Sequence, residues 1–150
     1  MRLTLWTDYA LRALIYVGAK GEAPSTIAEI AETFNVPRSH LMKIVNRLAR
    51  QGYVATVRGR GGGVRLGRPA SAIRVGAVVR DTEEELAVMG CLSEPGFCRI
   101  GGCCVLRLAL REATSAFFTT LDGYTLADLL APGEVLASSL GLSGTVPSSP

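Results

Sequence analysis

Three stretches in the first fifty or so residues place apolar side chains at helical spacing. Over Leu5 to Lys20, Leu11, Leu14, Ile15 and Gly18 fall on one side, and Gly18 and Gly21 bring that helix to an end. Pro24-Ser25-Thr26 opens a second. Thr26 with Glu29 three residues on has the form of a capping box, and Ile27, Ile30, Ala31 and Phe34 make one stripe. Asn35-Val36-Pro37 breaks it, with Pro37 suited to the first turn of the next helix. The third runs from about Arg38 to Gln51, with Leu41, Ile44, Val45 and Leu48 inward and Gly52 as its stop. Its other face carries Arg38, Ser39, Met42, Lys43, Asn46, Arg47 and Arg50. Two short helices around a tight break, the second basic outside, form a helix-turn-helix pattern.

Strand character follows at Tyr53 to Val57 and again at Val64-Arg65-Leu66, around the turn Arg58-Gly59-Arg60-Gly61-Gly62-Gly63. Glycines permit the positive φ angles a hairpin needs, and a basic hairpin after a recognition-type helix is a wing. The alternative, a phosphate-cradling loop, lacks the Gly-Lys-Ser/Thr of a P-loop. A fourth helix is expected over Ile73 to Asp81, then the acidic run Glu83-Glu84-Glu85. Met89 to Cys104, with Pro95, Gly96, Gly101 and Gly102, reads as a loop. Val105 to about Leu121 is a long helix, apolar over much of its circumference. So wide a stripe calls for a partner helix, and its own copy in a homodimer is the obvious one. Tyr124 to Leu130 reads as a short closing helix.

The fold class predicted is mainly α with a small β-hairpin wing: a winged helix-turn-helix plus a long dimerisation helix. Residues 1–80 would be the DNA-binding domain, 81–130 the cysteine loop and dimerisation helix, and 131–150 a flexible tail rich in Ser, Gly and Pro.

Composition and charge sharpen this picture. The chain has 150 residues, 48% hydrophobic and 19% charged, which fits a folded protein rather than a disordered one. The most apolar early stretch, Ala10 to Ala19, is short, carries Arg12 and follows Asp8, so no membrane span or signal peptide is expected, and the location expected is cytoplasmic. Residues 1–80 hold 13 Lys/Arg against 4 Asp/Glu, while 81–150 hold 3 against 9. That asymmetry is the footprint of a polyanion-binding half joined to a half with another task. All four cysteines, Cys91, Cys98, Cys103 and Cys104, lie in the second half within fourteen residues. A cysteine cluster of this kind in a cytoplasmic protein is a metal or redox site more often than a disulfide framework.

Several segments carry a resemblance. Leu3-Thr4-Leu5-Trp6-Thr7-Asp8-Tyr9-Ala10-Leu11-Arg12-Ala13-Leu14, His40-Leu41-Met42-Lys43-Ile44-Val45, and Val57 through Leu66 are similar to the bacterial winged-helix iron–sulfur repressor family. That family includes the nitric-oxide-sensing NsrR and the cluster-assembly regulator IscR. Arg68-Pro69-Ala70-Ser71-Ala72-Ile73-Arg74-Val75-Gly76 and Tyr124-Thr125-Leu126-Ala127-Asp128-Leu129 resemble the nitric oxide branch in particular. The resemblance implies a homodimer on a palindromic double-stranded DNA operator. It also implies an iron–sulfur cluster, 2Fe–2S or 4Fe–4S, held on three loop cysteines and attacked by nitric oxide, so that detoxification genes are derepressed.

Carried over position by position, the resemblance places the ligands on Cys91, Cys98 and Cys104. Cys103 stands where the family usually has another residue, which leaves open which of the adjacent pair binds. The fourth ligand implied is Asp8 of the partner subunit's first helix, with Glu94 and Glu85 as lesser candidates. Asp8 also has a plain reading as an acid stabilised by the helix dipole.

For DNA, Arg38, Ser39, His40 and Lys43 at the start of the third helix are placed for the major groove, though His40 also reads as a helix cap or phosphate contact. Thr26, Arg47 and Arg50 suit phosphates, and Arg58 and Arg60 suit a narrow minor groove. Arg65, Arg68 and Arg74 read as solvated surface. Competing readings are a regulator of iron or cluster supply, a zinc-stapled or thiol-switch regulator, and a small electron carrier. No cofactor-binding motif supports the last, and an enzyme is not expected.

Overall fold

Thr4 opens the first helix, its hydroxyl accepting a hydrogen bond from the Thr7 amide. The computed structural model describes residues 3–93 and 98–142, without the side chains of Cys91 and Ser93. Its helices are α1 (Leu5–Lys20), α2 (Ile27–Phe34), α3 (Arg38–Arg50), α4 (Val75–Thr82), α5 (Gly90–Ser93), α6 (Val105–Asp122), α7 (Leu126–Leu130) and α8 (Glu134–Ser139). Two strands, β1 (Val54–Val57) and β2 (Gly63–Leu66), follow α3, and a 3-10 turn at Ala70–Ala72 precedes α4. The fold is mainly helical with one antiparallel hairpin, a winged helix-turn-helix carrying a long additional helix.

Helix α1 is the hub. It buries Thr7, Ala10, Ala13, Leu14, Tyr16 and Val17, and touches α2, α3, α4, α7, α8 and β2. The small residues on it let neighbours come close. Gly18 does not end the helix as its residue type implied. It lies inside α1, where an added Cβ would stand 2.6 Å from a methyl of Leu130, and Gly21 at φ 71° is the stop. Both halves of the α2 capping box are present: the Thr26 amide donates to the Glu29 carboxylate at 2.6 Å, and the Glu29 amide to the Thr26 hydroxyl at 3.2 Å. Asn35 closes α2 in the left-handed region, and α3 buries Leu41, Ile44, Val45 and Leu48 as the spacing required.

The hairpin pairs Val54 with Leu66 and Val57 with Gly63. Ser25, just before α2, extends it: the Ser25 and Val64 amides each donate to the other's carbonyl at 2.8 Å. An added Cβ at Gly63 would lie 2.4 Å from the Ser25 carbonyl oxygen, so only glycine admits this contact. The wing is thereby fixed to the entry of the helix-turn-helix.

The C-terminal part returns to the same core. Val75 N–H donates to the Tyr124 carbonyl at 2.9 Å and Leu126 N–H to the Ile73 carbonyl at 2.8 Å. Leu126 is buried among residues of the first eighty. Residues 131–142, expected to begin a flexible tail, instead hold α8, with Ala137 buried and Leu140 and Leu142 packed on the core. Three apolar residues there find a surface that local composition cannot reveal; 143–150 lie outside the described residues.

Helix α6 differs from the rest. It packs on α4 and α5 and has no fully buried residue. Val105 is 75% exposed and Leu106 58%, and Ala109, Ala113 and Ala116 are exposed along the same side. Its C-terminal end is held firmly: both Arg80 guanidinium donors reach the Asp122 carboxylate at 2.7 Å, and the guanidinium lies 4.5 Å from the Phe118 ring centre.

Candidate nucleic-acid interface and cysteine loop

Because α3 turns its apolar stripe onto α1, its opposite face is presented to solvent. Arg38, Ser39, His40, Met42, Lys43, Asn46 and Arg50 are all exposed there. The expected groove-reading residues Arg38, Ser39, His40 and Lys43 thus share one end of one helix. Arg58 and Arg60 are exposed on the wing tip, where Gly59 at φ 102° and Gly61 at φ 74° make the turn. Among the described residues none of these cations is in an ion pair, so their charge is free for a polyanion.

Thr26 is exposed at the N-terminus of α2, where its hydroxyl accepts from the Glu29 amide and keeps its own proton to donate to a phosphate. Arg47 is set apart. It is half-buried on the flank of α3 and lines a cavity of about 460 Å³ with Trp6, Thr82 and the acidic run Glu83–Glu85.

Two arginines that read as solvated surface have structural work. The Arg68 Nε donates to the Gly52 carbonyl at 3.1 Å, and Nη2 to that of Gln51, which satisfies the end of α3. Its guanidinium also lies 4.4 Å from the Tyr53 ring centre. Arg74 donates to the Asp122 carbonyl at 2.7 Å. The Tyr53 hydroxyl donates to Asp81 at 2.6 Å; burial, then this carboxylate, pushes its pKa above the usual phenol value.

A polar clamp escaped the sequence reading. One carboxylate oxygen of Glu83 accepts from the Thr4 amide at 2.8 Å, from the Thr4 hydroxyl at 3.0 Å and from the buried Thr7 hydroxyl. Thr7 is also bonded to Thr82 at 2.9 Å. This ties the end of α4, and the segment leading to the cysteines, to the first turn of α1. The only local signal was Thr4 and Thr7 at a helix start.

In the cysteine loop, Cys98 and Cys103 are exposed and Cys104 is half-buried, all as free thiols. Cys91 lies in the backbone of α5, its side chain outside the described residues, as is Glu94. Cys104 is the N-cap residue of α6, and its thiol makes no capping hydrogen bond to the helix. The Cys103 thiol instead donates to the Ile100 carbonyl at 3.6 Å. Asp8 is a half-exposed partner of Arg12 at 2.9 Å within its own helix, and Glu85 accepts from the Ala87 amide at 3.3 Å. Among the described residues no three His, Cys, Asp or Glu side chains converge on one point. The donor chemistry nevertheless fits an iron–sulfur cluster: several free thiols on one short segment, one of them at a helix N-terminus.

The Rrf2 family, described as iron-dependent transcriptional regulators, matches residues 3–132. The chain belongs to the Rrf2 family. Similar solved structures are CymR, the global cysteine regulator of B. subtilis (27% identity, 88% of this chain and 98% of that one, TM-score 0.72), and IscR of T. potens (25%, 90% of each chain, TM-score 0.73). An oxidised form of CymR from Staphylococcus aureus is similar as well (28%, 84% and 93%, TM-score 0.68). As an Rrf2 member the chain is a transcriptional regulator and not an enzyme; Rrf2 regulators bind DNA and are generally dimeric. Among the described residues no helix is long and apolar enough to cross a membrane.

Proposed function

We propose that this Rrf2 protein is a cytoplasmic homodimeric repressor whose binding to a palindromic operator depends on an iron–sulfur cluster sensitive to nitric oxide, controlling nitric oxide detoxification genes. The observation that carries the reading is the placing of all the chain's cysteines in the segment that enters α6, the helix whose apolar side is left uncovered. The likeness of 68–76 and 124–129 to the nitric oxide branch supports the choice of signal. Cys91, Cys98 and Cys104 would hold the cluster, with Asp8 of the partner subunit as fourth ligand. When bound, the cluster supplies iron that reacts with nitric oxide.

The chain's own residues do the rest. Leu106, Ala109, Ala113 and Ala116 pack on the same stripe of a second copy, which sets the separation of the two α3 helices. Arg38, Ser39, His40 and Lys43 read the major groove, Thr26 and Arg50 hold phosphates, and Arg58 and Arg60 enter the minor groove, while Arg47 lies off this face beside Glu83–Glu85. Ordering of the 91–104 segment on α6 favours the DNA-competent spacing, and its release disfavours it.

A second reading, a regulator of iron–sulfur supply, is favoured by the likeness to T. potens IscR across 90% of both chains. One experiment separates them. Protein purified without oxygen is weighed by native mass spectrometry, and its affinity for DNA selected from a random pool is measured with and without nitric oxide. A dimer carrying iron and sulfide that releases DNA on nitric oxide supports the proposal. Release only when the cluster is withheld supports the second reading, and zinc or bare thiols overturn both.

A further inference from the structure

Helix α6 carries Arg107, Arg111, Ser115 and Thr119 at successive intervals of four residues, so the four stack along one side. They form one wall of a groove of about 590 Å³ between α6 and the segment that leads to the cysteines. That volume is ordinary for a small-molecule site. The opposite wall is apolar, with Leu86, Ala87 and Leu92, and Phe118 of α6 itself adds an apolar ring beside them.

The charge in this groove is unbalanced. Among the described residues no carboxylate lines it. Arg80, at its edge, is fully engaged by both oxygens of Asp122 at 2.7 Å. Arg107 donates to the Gly101 carbonyl at 3.4 Å, and neither it nor Arg111 has an ion pair among the described residues. Residues 81–150 hold 9 Asp/Glu against 3 Lys/Arg, yet two of those three cations face this one groove. Two guanidiniums four residues apart on a helix repel one another, and an anion held between them removes that repulsion.

We propose that the groove between α6 and the 86–92 segment binds a small organic anion, a carboxylate or phosphate monoester bearing an apolar group, through Arg107 and Arg111. The guanidiniums take the oxyanion, the Ser115 and Thr119 hydroxyls add donors, and Leu86, Leu92 and Phe118 cover the apolar part. A bare inorganic ion would leave that wall unfilled. A duplex backbone likewise has no apolar group to place there. The stripe Leu106, Ala109, Ala113 and Ala116 lies on another side of α6, so dimer formation through it leaves the groove open. An occupant would bridge α6 to the segment running into the cysteine loop and hold the two together.

The test is titration calorimetry on the dimer as purified without oxygen, at constant ionic strength with chloride as reference. The probes are phenyl phosphate, phenylacetate and inorganic phosphate. Phenyl phosphate or phenylacetate is expected to bind saturably, one per chain, and more tightly than inorganic phosphate. Arg111→Gln is expected to weaken it about tenfold or more, the effect of losing a charge-assisted contact. Ser115→Glu, which places a carboxylate beside Arg111 on an exposed helix face, is expected to weaken it as strongly with dimer mass and metal content unchanged. Absence of saturable binding by both organic probes overturns the proposal, as does unchanged affinity in the two variants. Displacement of the probe by operator DNA also overturns it, because the arginines would then be a nucleic-acid contact.

Discussion

Removing the Glu83 carboxylate should destabilise the whole chain although the residue lies between elements. Its Oε1 accepts from the Thr4 amide at 2.8 Å, from the Thr4 hydroxyl at 3.0 Å and from the Thr7 hydroxyl, at the N-terminal end of α1. Hydrogen bonds to a charged acceptor contribute roughly 1.5–3 kcal/mol each when well shielded, and less here because the Thr4 side is open to water. A carboxylate at a helix N-terminus adds about 0.3–1 kcal/mol. Thr7 keeps its bond to Thr82 at 2.9 Å and so is not orphaned. Together these give about 2 kcal/mol for Glu83→Ala, or a melting temperature lower by roughly 4–8 °C for a chain of this size. Glu83→Gln keeps an acceptor oxygen and loses the charge, so about half that loss is expected. The assay is urea denaturation at neutral pH and one fixed protein concentration, since dimerisation makes stability depend on concentration. A Glu83→Ala midpoint within about 0.5 kcal/mol of the parent would refute the clamp, because that is the scatter of an ordinary surface substitution.

Gly76→Ala places a Cβ 2.1 Å from an Asp122 carboxylate oxygen and 3.1 Å from the Asp122 amide, so the carboxylate must leave its seat on Arg80 or α6 must shift; a loss of about 1–3 kcal/mol is expected in the same denaturation assay. Asp122 has its carboxyl held below the ordinary 3.8 by the Arg80 hydrogen bonds, so its stabilisation is complete above that pH and is lost as pH falls through the lowered value. Arg80→Met should therefore differ from the parent at neutral pH and converge on it in acid, read from urea midpoints across pH. Cys104→Ala should lose bound iron and sulfide while Cys103→Ala retains them, and a normal cluster in the Cys104 variant would reverse that assignment. Arg60→Ala should weaken operator binding and lower the salt dependence by about one counterion with cluster content unchanged, as binding isotherms at several salt concentrations will show.

Much of the DNA-reading half was legible because its signals are local. The Thr26–Glu29 capping box, the Leu41, Ile44, Val45, Leu48 stripe and the glycines of the 58–63 turn each act within a few residues. Local signals failed where a residue's role depends on what arrives from far along the chain. Gly18 has the composition of a helix stop, yet it is kept small by Leu130, more than a hundred residues away. Arg68 and Arg74 look like any surface arginine until the α3 C-terminus and Asp122 are brought to them. Arg47 reads as one more cation on a basic face, and only the packing of α4 places it beside Glu83–Glu85. In the cysteine loop the gathering of four thiols within fourteen residues was plain from the sequence, whereas the structure adds that the Cys103 thiol turns to the Ile100 carbonyl while Cys104 stands at the helix N-terminus.

The sequence by itself determined the helix-turn-helix, the basic wing, the segregation of charge and the gathering of thiols, since periodicity, capping and turn chemistry act over one or two turns of chain. Only the tertiary structure decided that 124–142 returns to the N-terminal core, that Ser25 anchors the wing, that Glu83 clamps α1, and that two arginines of α6 face one groove. The first three depend on contacts between residues about 40 to more than 100 positions apart, and the groove on residues 15 to 25 apart. Their energies arise from burial and hydrogen bonding at close approach, which no local pattern encodes.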